Sequence, residues 1–275
     1  MKRLQALEVL AAQAQRGELV FATSVALASR IRTALDDPDI HIGTASKLIQ
    51  SEPLLAARCV AMANSVAYSR SGTVITDVGN AVARLGLRTL RSLAEALIVR
   101  QIAGAPKDAA QKKVVALLWE HTAHVASLSR LIARRITHLD AETALFTGLV
   151  HDVGNFYLLS RASEFPALLE SEHAPEEEGV EIALNRAVAA TLNLPAQVIE
   201  ALEVVWSGYV ATPPLSLGDT VALAKELAPV ESPFVRLADS RTIAPIDMEV
   251  GAEMLTQILQ DSADEVDSLT RALTF

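Results

Sequence analysis

One cysteine in 275 residues excludes an intrachain disulfide. Cys59 lies in the apolar run AARCVAMA and reads as a small buried hydrophobe; the want of disulfides fits a reducing, cytoplasmic setting. Aromatic residues are scarce at 4%, and the 51% apolar content is mainly Ala, Leu and Val. That composition suits closely packed helices and is ample for a core. No uncharged apolar run approaches the roughly 18 residues of a membrane span. Glu8 interrupts the apolar stretch after the basic start, which therefore reads as an amphipathic helix and not a signal peptide. Positive charge is not in surplus: the formal net charge is −9, which argues against general nucleic-acid binding. Strand alternation, fixed-period repeats, low-complexity tracts and a Gly-rich phosphate loop are also missing.

What is present is helical periodicity, which predicts an all-α chain. Ser24 is a candidate cap for 24–37, where Val25, Leu27, Ala28, Ile31 and Leu35 fall near one face. Glu52-Pro53 opens PLLAARCVAMANSVA, apolar nearly all round and so expected in the core. Thr76 or Asp77 can cap the next helix, which Gly86 divides. Gly104-Ala105-Pro106 is the best internal boundary, followed by one long helix over 107–136. The expected units are an N-terminal helical lobe (1–106), a second helical lobe (107–212) and a C-terminal helical extension packing on them (213–275). Charge differs along the chain, with 13 Lys/Arg against 9 Asp/Glu in 1–110 and 11 against 24 in 111–275. Such asymmetry accords with units of different surface, or with a solvated acidic face.

The stretch GLVHDVGN (148–155) carries the most chemistry. Adjacent His151 and Asp152 offer an imidazole nitrogen and a carboxylate oxygen, the beginning of a divalent-metal site. The pair is expected to end an apolar helix and enter a turn at Gly154. His121 and His124 share a helix face upstream, and an i,i+3 His pair without further ligands is usually packing. For His121, His151 and Asp152 a buried hydrogen-bond cluster is the plainer expectation. Arg84, Arg88 and Arg91 recur at helical spacing, with Arg100 beyond. They could grip a nucleotide messenger or an acidic partner, though pairing with nearby acids such as Glu95 is the commoner use of helix-surface arginines. In the tail DSADEVDSLTRALTF, Val266, Leu269, Ala272 and Leu273 line one stripe that can dock on this chain or on a partner.

Several separated motifs occur together in one order. They are Glu52-Pro53, the ANS-x-A-Y run at Ala63–Tyr68, Ala81 with LGL at Leu85–Leu87, LWEHTAHVA (118–126) and GLVHDVGN. Over roughly residues 18–210 the chain thereby resembles the HDOD family, bacterial signalling relatives of the HD phosphohydrolases. The resemblance implies an all-α fold with an HD-like second lobe. It also implies regulatory work in a bacterial cytoplasm through protein partners, such as a histidine kinase, a response regulator or a cyclic-di-nucleotide enzyme, with self-association a further possibility.

In a working HD phosphohydrolase the resemblance implies a metal held by an upstream His, the His-Asp pair and a later Asp. His121 matches the first position and His151-Asp152 the pair. Residues 153–218 contain no Asp, and the only His there is His173; Asp219 lies beyond Pro213-Pro214. Asn155 stands where cyclic-di-nucleotide phosphodiesterase relatives carry Lys, and no Gly-Tyr-Pro occurs. Leu194-Pro195 is kept, but Glu181 and Val205-Trp206 stand where family members often have His and His-His. The expectation is therefore a non-catalytic regulatory protein with no catalytic residue, metal or cofactor, in which His121, His151 and Asp152 are the remnant of a site. The alternative is a divergent phosphohydrolase of nucleotides or cyclic di-nucleotides, rescued by a ligand such as Glu181. Val205, Trp206 and Tyr209 are expected in the core.

Overall fold

Alanine and leucine recurring every three or four residues fold into helix after helix, and no strand occurs among the described residues. The computed structural model describes residues 2–19, 25–50, 53–69, 73–102, 104, 106, 108–169, 175–192, 194–208, 211, 213–234 and 249–273. Ser24, Glu52, Ala105, His173, Tyr209 and Thr212, and the side chains of Val25, Leu27, Ala28 and Pro53, lie outside the described residues. The helices are α1 (Arg3–Gln15), α2 (Val25–Leu35), α3 (Ile42–Gln50), α4 (Pro53–Ala63), α5 (Val78–Ile102), α6 (Ala109–Ile132) and α7 (Ala141–Val150). They continue as α8 (Val153–Arg161), α9 (Pro175–Thr191), α10 (Ala196–Trp206), α11 (Leu217–Glu226), α12 (Glu249–Asp261) and α13 (Ala263–Leu273).

Local chemistry sets the helix ends. Asp77 accepts the Asn80 N–H at 2.9 Å and opens α5, Asp108 accepts from Gln111 at 2.7 Å to open α6, and Asp140 accepts from Thr143 at 2.8 Å to open α7. Gly86 kinks α5 at φ 74°, a region that a side chain would make costly. The long helix expected over 107–136 runs as α6 and ends in a single π turn, Ala133–Thr137, with His138 left-handed at φ 53°.

In the first half, α2, α3 and α4 pack around α5, and α5 in turn packs on α7. α6 and α7 form a closely packed pair; α11 packs on both, and α13 on α6. One apolar cluster runs from Leu7 through Leu55, Leu97, Leu149 and Trp206 to Leu273, so the core crosses the passage at 104–106. A smaller cluster around Val125, Leu131, Val221 and Val266 joins α6, α11 and α13.

The two chain ends bind the halves together. α1 packs on α9, where buried Arg3 pairs with both Glu177 and Glu181. α13 lies on α6 and α4: the Trp119 indole N–H donates to the Leu273 carbonyl at 2.9 Å, and Arg58 to that of Ala272 at 3.1 Å. Between the halves, Glu142 of α7 accepts from the Tyr68 hydroxyl at 2.7 Å, Thr89 at 3.0 Å and Arg130 at 3.1 Å. The Arg130 guanidinium lies 4.6 Å over the Tyr68 ring. Asn64 exchanges two hydrogen bonds with the Ile75 backbone, at 2.7 and 2.8 Å, pinning the loop after α4. The residues of the ANS-x-A-Y run thus hold the architecture together.

Candidate metal-binding cluster

α6 and α7 meet backbone to backbone at Gly148. A Cβ there would lie 2.6 Å from the Ala126 Cα and 3.0 Å from its nitrogen. This approach sets His121, one and a half turns before Ala126, against His151, which follows α7 directly. His151 and Asp152 form the link to α8, and Gly154 falls inside the first turn of α8, not in a turn between helices as its spacing predicts. Its glycine serves a close approach: a Cβ at 154 would stand 1.5 Å from the Asn185 Oδ1 of α9.

His121, His151 and Asp152 present ligand atoms within 4.8 Å of one another, and all three residues are buried. His121 Nδ1 lies 2.6 Å from the Val230 carbonyl and His151 Nδ1 2.7 Å from that of Gly148. A carbonyl only accepts, so each Nδ1 carries a proton, which leaves Nε2 as the atom that a neutral ring would offer to a metal. Neither Nε2 has a hydrogen-bond partner. Both face Asp152 Oδ2, at 4.0 Å from His121 and 3.5 Å from His151. Burial pushes the His151 imidazole down to about 4, with His121 and Lys225 adding to the fall and Asp152 opposing it. Its neutral form is the one that ligates metal. Asn155 orients the carboxylate by donating to Asp152 Oδ1 at 3.1 Å.

A hydrogen-bond cluster accounts for the two Nδ1 atoms but leaves both Nε2 atoms converging on a carboxylate oxygen without a hydrogen bond. That donor set fits a divalent ion of the zinc or manganese type. Bound there, such an ion would supply Lewis-acid polarisation of a water or phosphate oxygen.

The remaining candidate ligands are placed elsewhere. Glu181 is engaged by Arg3, and among the described residues it does not join the cluster. Asp219 closes a capping box with Ser216 at the start of α11. His124 is half-buried outside the cluster, with its pKa lowered mainly by desolvation. Val205 and Trp206 are buried, and the Trp206 indole N–H donates to the His151 carbonyl at 3.3 Å. Over the cluster lies the segment after α11, through the Val230 carbonyl and the Ser232 hydroxyl, 3.4 Å from Asp152 Oδ2. His121 and His151 are left 2% and 1% exposed. Backbone carbonyls carry no sequence signature, so the cover from Val230 and Ser232 could not be read in advance; Trp206 was visible only as a residue standing where a His is usual.

The arginines singled out by spacing diverge. Arg84 donates to the Ala63 and Thr73 carbonyls and braces the loop after α4. Arg88 pairs with Asp140, while Arg91 donates to the Leu35 carbonyl. Glu95 is held by Arg32 of α2, at 3.0 Å, and not by any of those three. Arg32, Arg88, Arg91 and Glu95 line a cleft between α2, α5, α7 and the start of α10. Burial pushes the Glu95 carboxyl up to about 7, Asp36 adds to the rise, and Arg32 opposes it. Between its unfolded value near 4.5 and 7, the folded chain keeps a proton that the unfolded chain has lost, so stability falls as pH rises through that window. Glu95→Gln should come closest to the parent at pH 5 and exceed it by about 3 kcal/mol at pH 8. Paired urea melts at the two pH values test this, and an equal difference at both would contradict it.

Residues 22–204 match the HDOD domain family. A structure from Shewanella amazonensis, provisionally assigned as a metal-dependent phosphohydrolase, superposes with a TM-score of 0.71 at 20% identity, over 98% of each chain. An HDOD domain protein of unknown function from Geobacter sulfurreducens gives 0.63 at 23% identity, again over 98% of each. A protein from Marinobacter aquaeolei, provisionally assigned to signal transduction, gives 0.64 at 17%, over 100% of this chain and 67% of the other. These likenesses are of fold. No curated protein matches the chain.

Proposed function

The chain belongs to the HDOD family, and from that premise we propose that it is a non-catalytic regulatory protein of bacterial signalling, working through contact with a protein partner. The observation that carries the non-catalytic part is the closure of the triad. Hydrolysis needs a substrate phosphate and an activated water at the ion, whereas Val230 and Ser232 lie over the three ligands and both imidazoles are almost fully buried. No second protein carboxylate joins them as a fourth ligand among the described residues, since Glu181 and Asp219 are committed elsewhere. In this reading the triad is an internal brace. The surfaces of the helical halves do the work, with a histidine kinase, a response regulator or a cyclic-di-nucleotide enzyme as the class of partner.

The two partnerless Nε2 atoms favour a second reading, a divergent metal-dependent phosphohydrolase whose cover opens. One experiment separates the two. The full chain is assayed with manganese or magnesium on cyclic di-nucleotides and nucleotide phosphodiesters, beside His151→Ala and Asp152→Ala. The regulatory reading expects no turnover above the level of either variant. Metal-dependent turnover lost in both variants would replace it with the hydrolase.

A further inference from the structure

The cleft between the halves lies apart from the triad, and the regulatory reading makes no use of it. It encloses about 300 Å³, the small end of the range for ligand pockets. Three guanidiniums line it among the acidic side chains of Asp36, Glu95 and Glu142, and each guanidinium has N–H groups to spare. Arg32 spends Nη1 on Glu95 and on the Leu192 carbonyl, leaving Nε buried without a partner. Arg91 uses Nε, donating to the Leu35 carbonyl at 2.5 Å beside Asp36 at 3.4 Å. Arg88 pairs through one amine with Asp140.

Glu95 is an acidic member of the lining, paired with Arg32. It is 6% exposed and lines the cleft, yet its Oε2 has no hydrogen-bond partner. That oxygen is itself buried, so a bound polar group reaches it only once the carboxyl turns toward the cleft, and then recovers the cost of leaving it unmatched. The lining is also graded. The side chains of Arg88 and Arg91 are 62% and 36% exposed, those of Arg32 and Glu95 18% and 8%. Phe146 and Pro195 add an apolar wall.

Forked guanidiniums at the mouth match a phosphate. A flat ring suits the apolar wall. A carboxyl beside a guanidinium at the inner end matches the donor and acceptor edge of a heterocycle. We propose that this cleft binds a purine nucleoside monophosphate, with Arg88 and Arg91 on the phosphate and Arg32 and Glu95 on the base edge. The space suits one nucleotide and not two.

The test is calorimetric titration of the full chain with AMP, GMP, the two nucleosides, inorganic phosphate and a cyclic di-purine nucleotide. One of the monophosphates is expected to bind at least about tenfold tighter than its nucleoside and than phosphate. Arg88→Ala, an exposed change with the fold checked by circular dichroism, should weaken it by about tenfold or more. Arg91→Lys should act in the same direction, and Glu95→Gln should alter the ratio of AMP to GMP affinity. Arg186→Ala, an exposed arginine outside the cleft, should leave binding unchanged, and none of these variants touches the triad. Absence of binding by both monophosphates at about 1 mM, equal binding of phosphate alone, preference for the di-nucleotide, or affinity indifferent to Arg88→Ala and Arg91→Lys would each overturn the proposal.

Discussion

Replacing Arg3 with Met should destabilise the protein by about 3–5 kcal/mol, because two carboxylates then stay buried without their counter-charge. Glu177 and Glu181 stand one turn apart on α9, both at least nine-tenths buried, with the Arg3 guanidinium spanning them. For a chain of this size the loss corresponds to a fall in Tm of roughly 6–20 °C. Charge removal on the other side discriminates the cause. Arg3→Met combined with Glu177→Leu and Glu181→Met should regain most of the deficit, since a well-packed apolar replacement of a buried ion set is often neutral or better. Urea unfolding of the single and triple variants measures both. A single variant within about 1 kcal/mol of the parent would show that α1 is held by apolar contacts such as Leu7 and Leu10 and not by the ion set.

Trp206→Ala should cost a similar amount, about 3–5 kcal/mol, through a cavity that the helices around it cannot fully close. Trp206 is among the largest fully buried side chains and belongs to the main apolar cluster. Its loss also leaves the His151 carbonyl without the indole donor. The expected result is a large drop in the urea midpoint with helical circular dichroism retained at low denaturant, the outcome for a core truncation in a fold that stays assembled. Trp206→Phe separates the two contributions: it restores most of the volume but not the N–H, and should recover more than half of the loss. A Phe variant as unstable as the Ala variant would place the energy in the hydrogen bond instead.

Much of this architecture is legible in the chain because its causes are local. Asp77, Asp108 and Asp140 cap helices within three residues of themselves, and Gly86 breaks a helix at its own position. His121, His151 and Asp152 are legible as candidates for the same reason, lying in short motifs. What is not legible depends on partners far along the chain. Glu181 could be read as a rescuing ligand because nothing near it in sequence shows that Arg3, 178 residues away, takes its carboxylate. Gly154 suggests a turn, and only the presence of Asn185 against it shows a helix–helix approach. The direction of the two Nε2 atoms follows from which carbonyl each Nδ1 meets, and one of those, Val230, is 109 residues from its histidine. The regularity of Arg84, Arg88 and Arg91 is real as spacing, but Gly86 lies inside it, and the three side chains serve different neighbours.

The docking of α1 on α9 sets an order of events during synthesis. The ribosome releases α1 well before α9, whose surface is made only after more than 170 further residues have been added. At about 5–20 residues per second, that is a wait on the order of ten seconds or more. Through that interval Leu7 and Leu10, both fully buried in the finished protein, have no surface of α9 to cover them. Until α9 follows, α1 therefore presents its apolar face to chaperones and proteases.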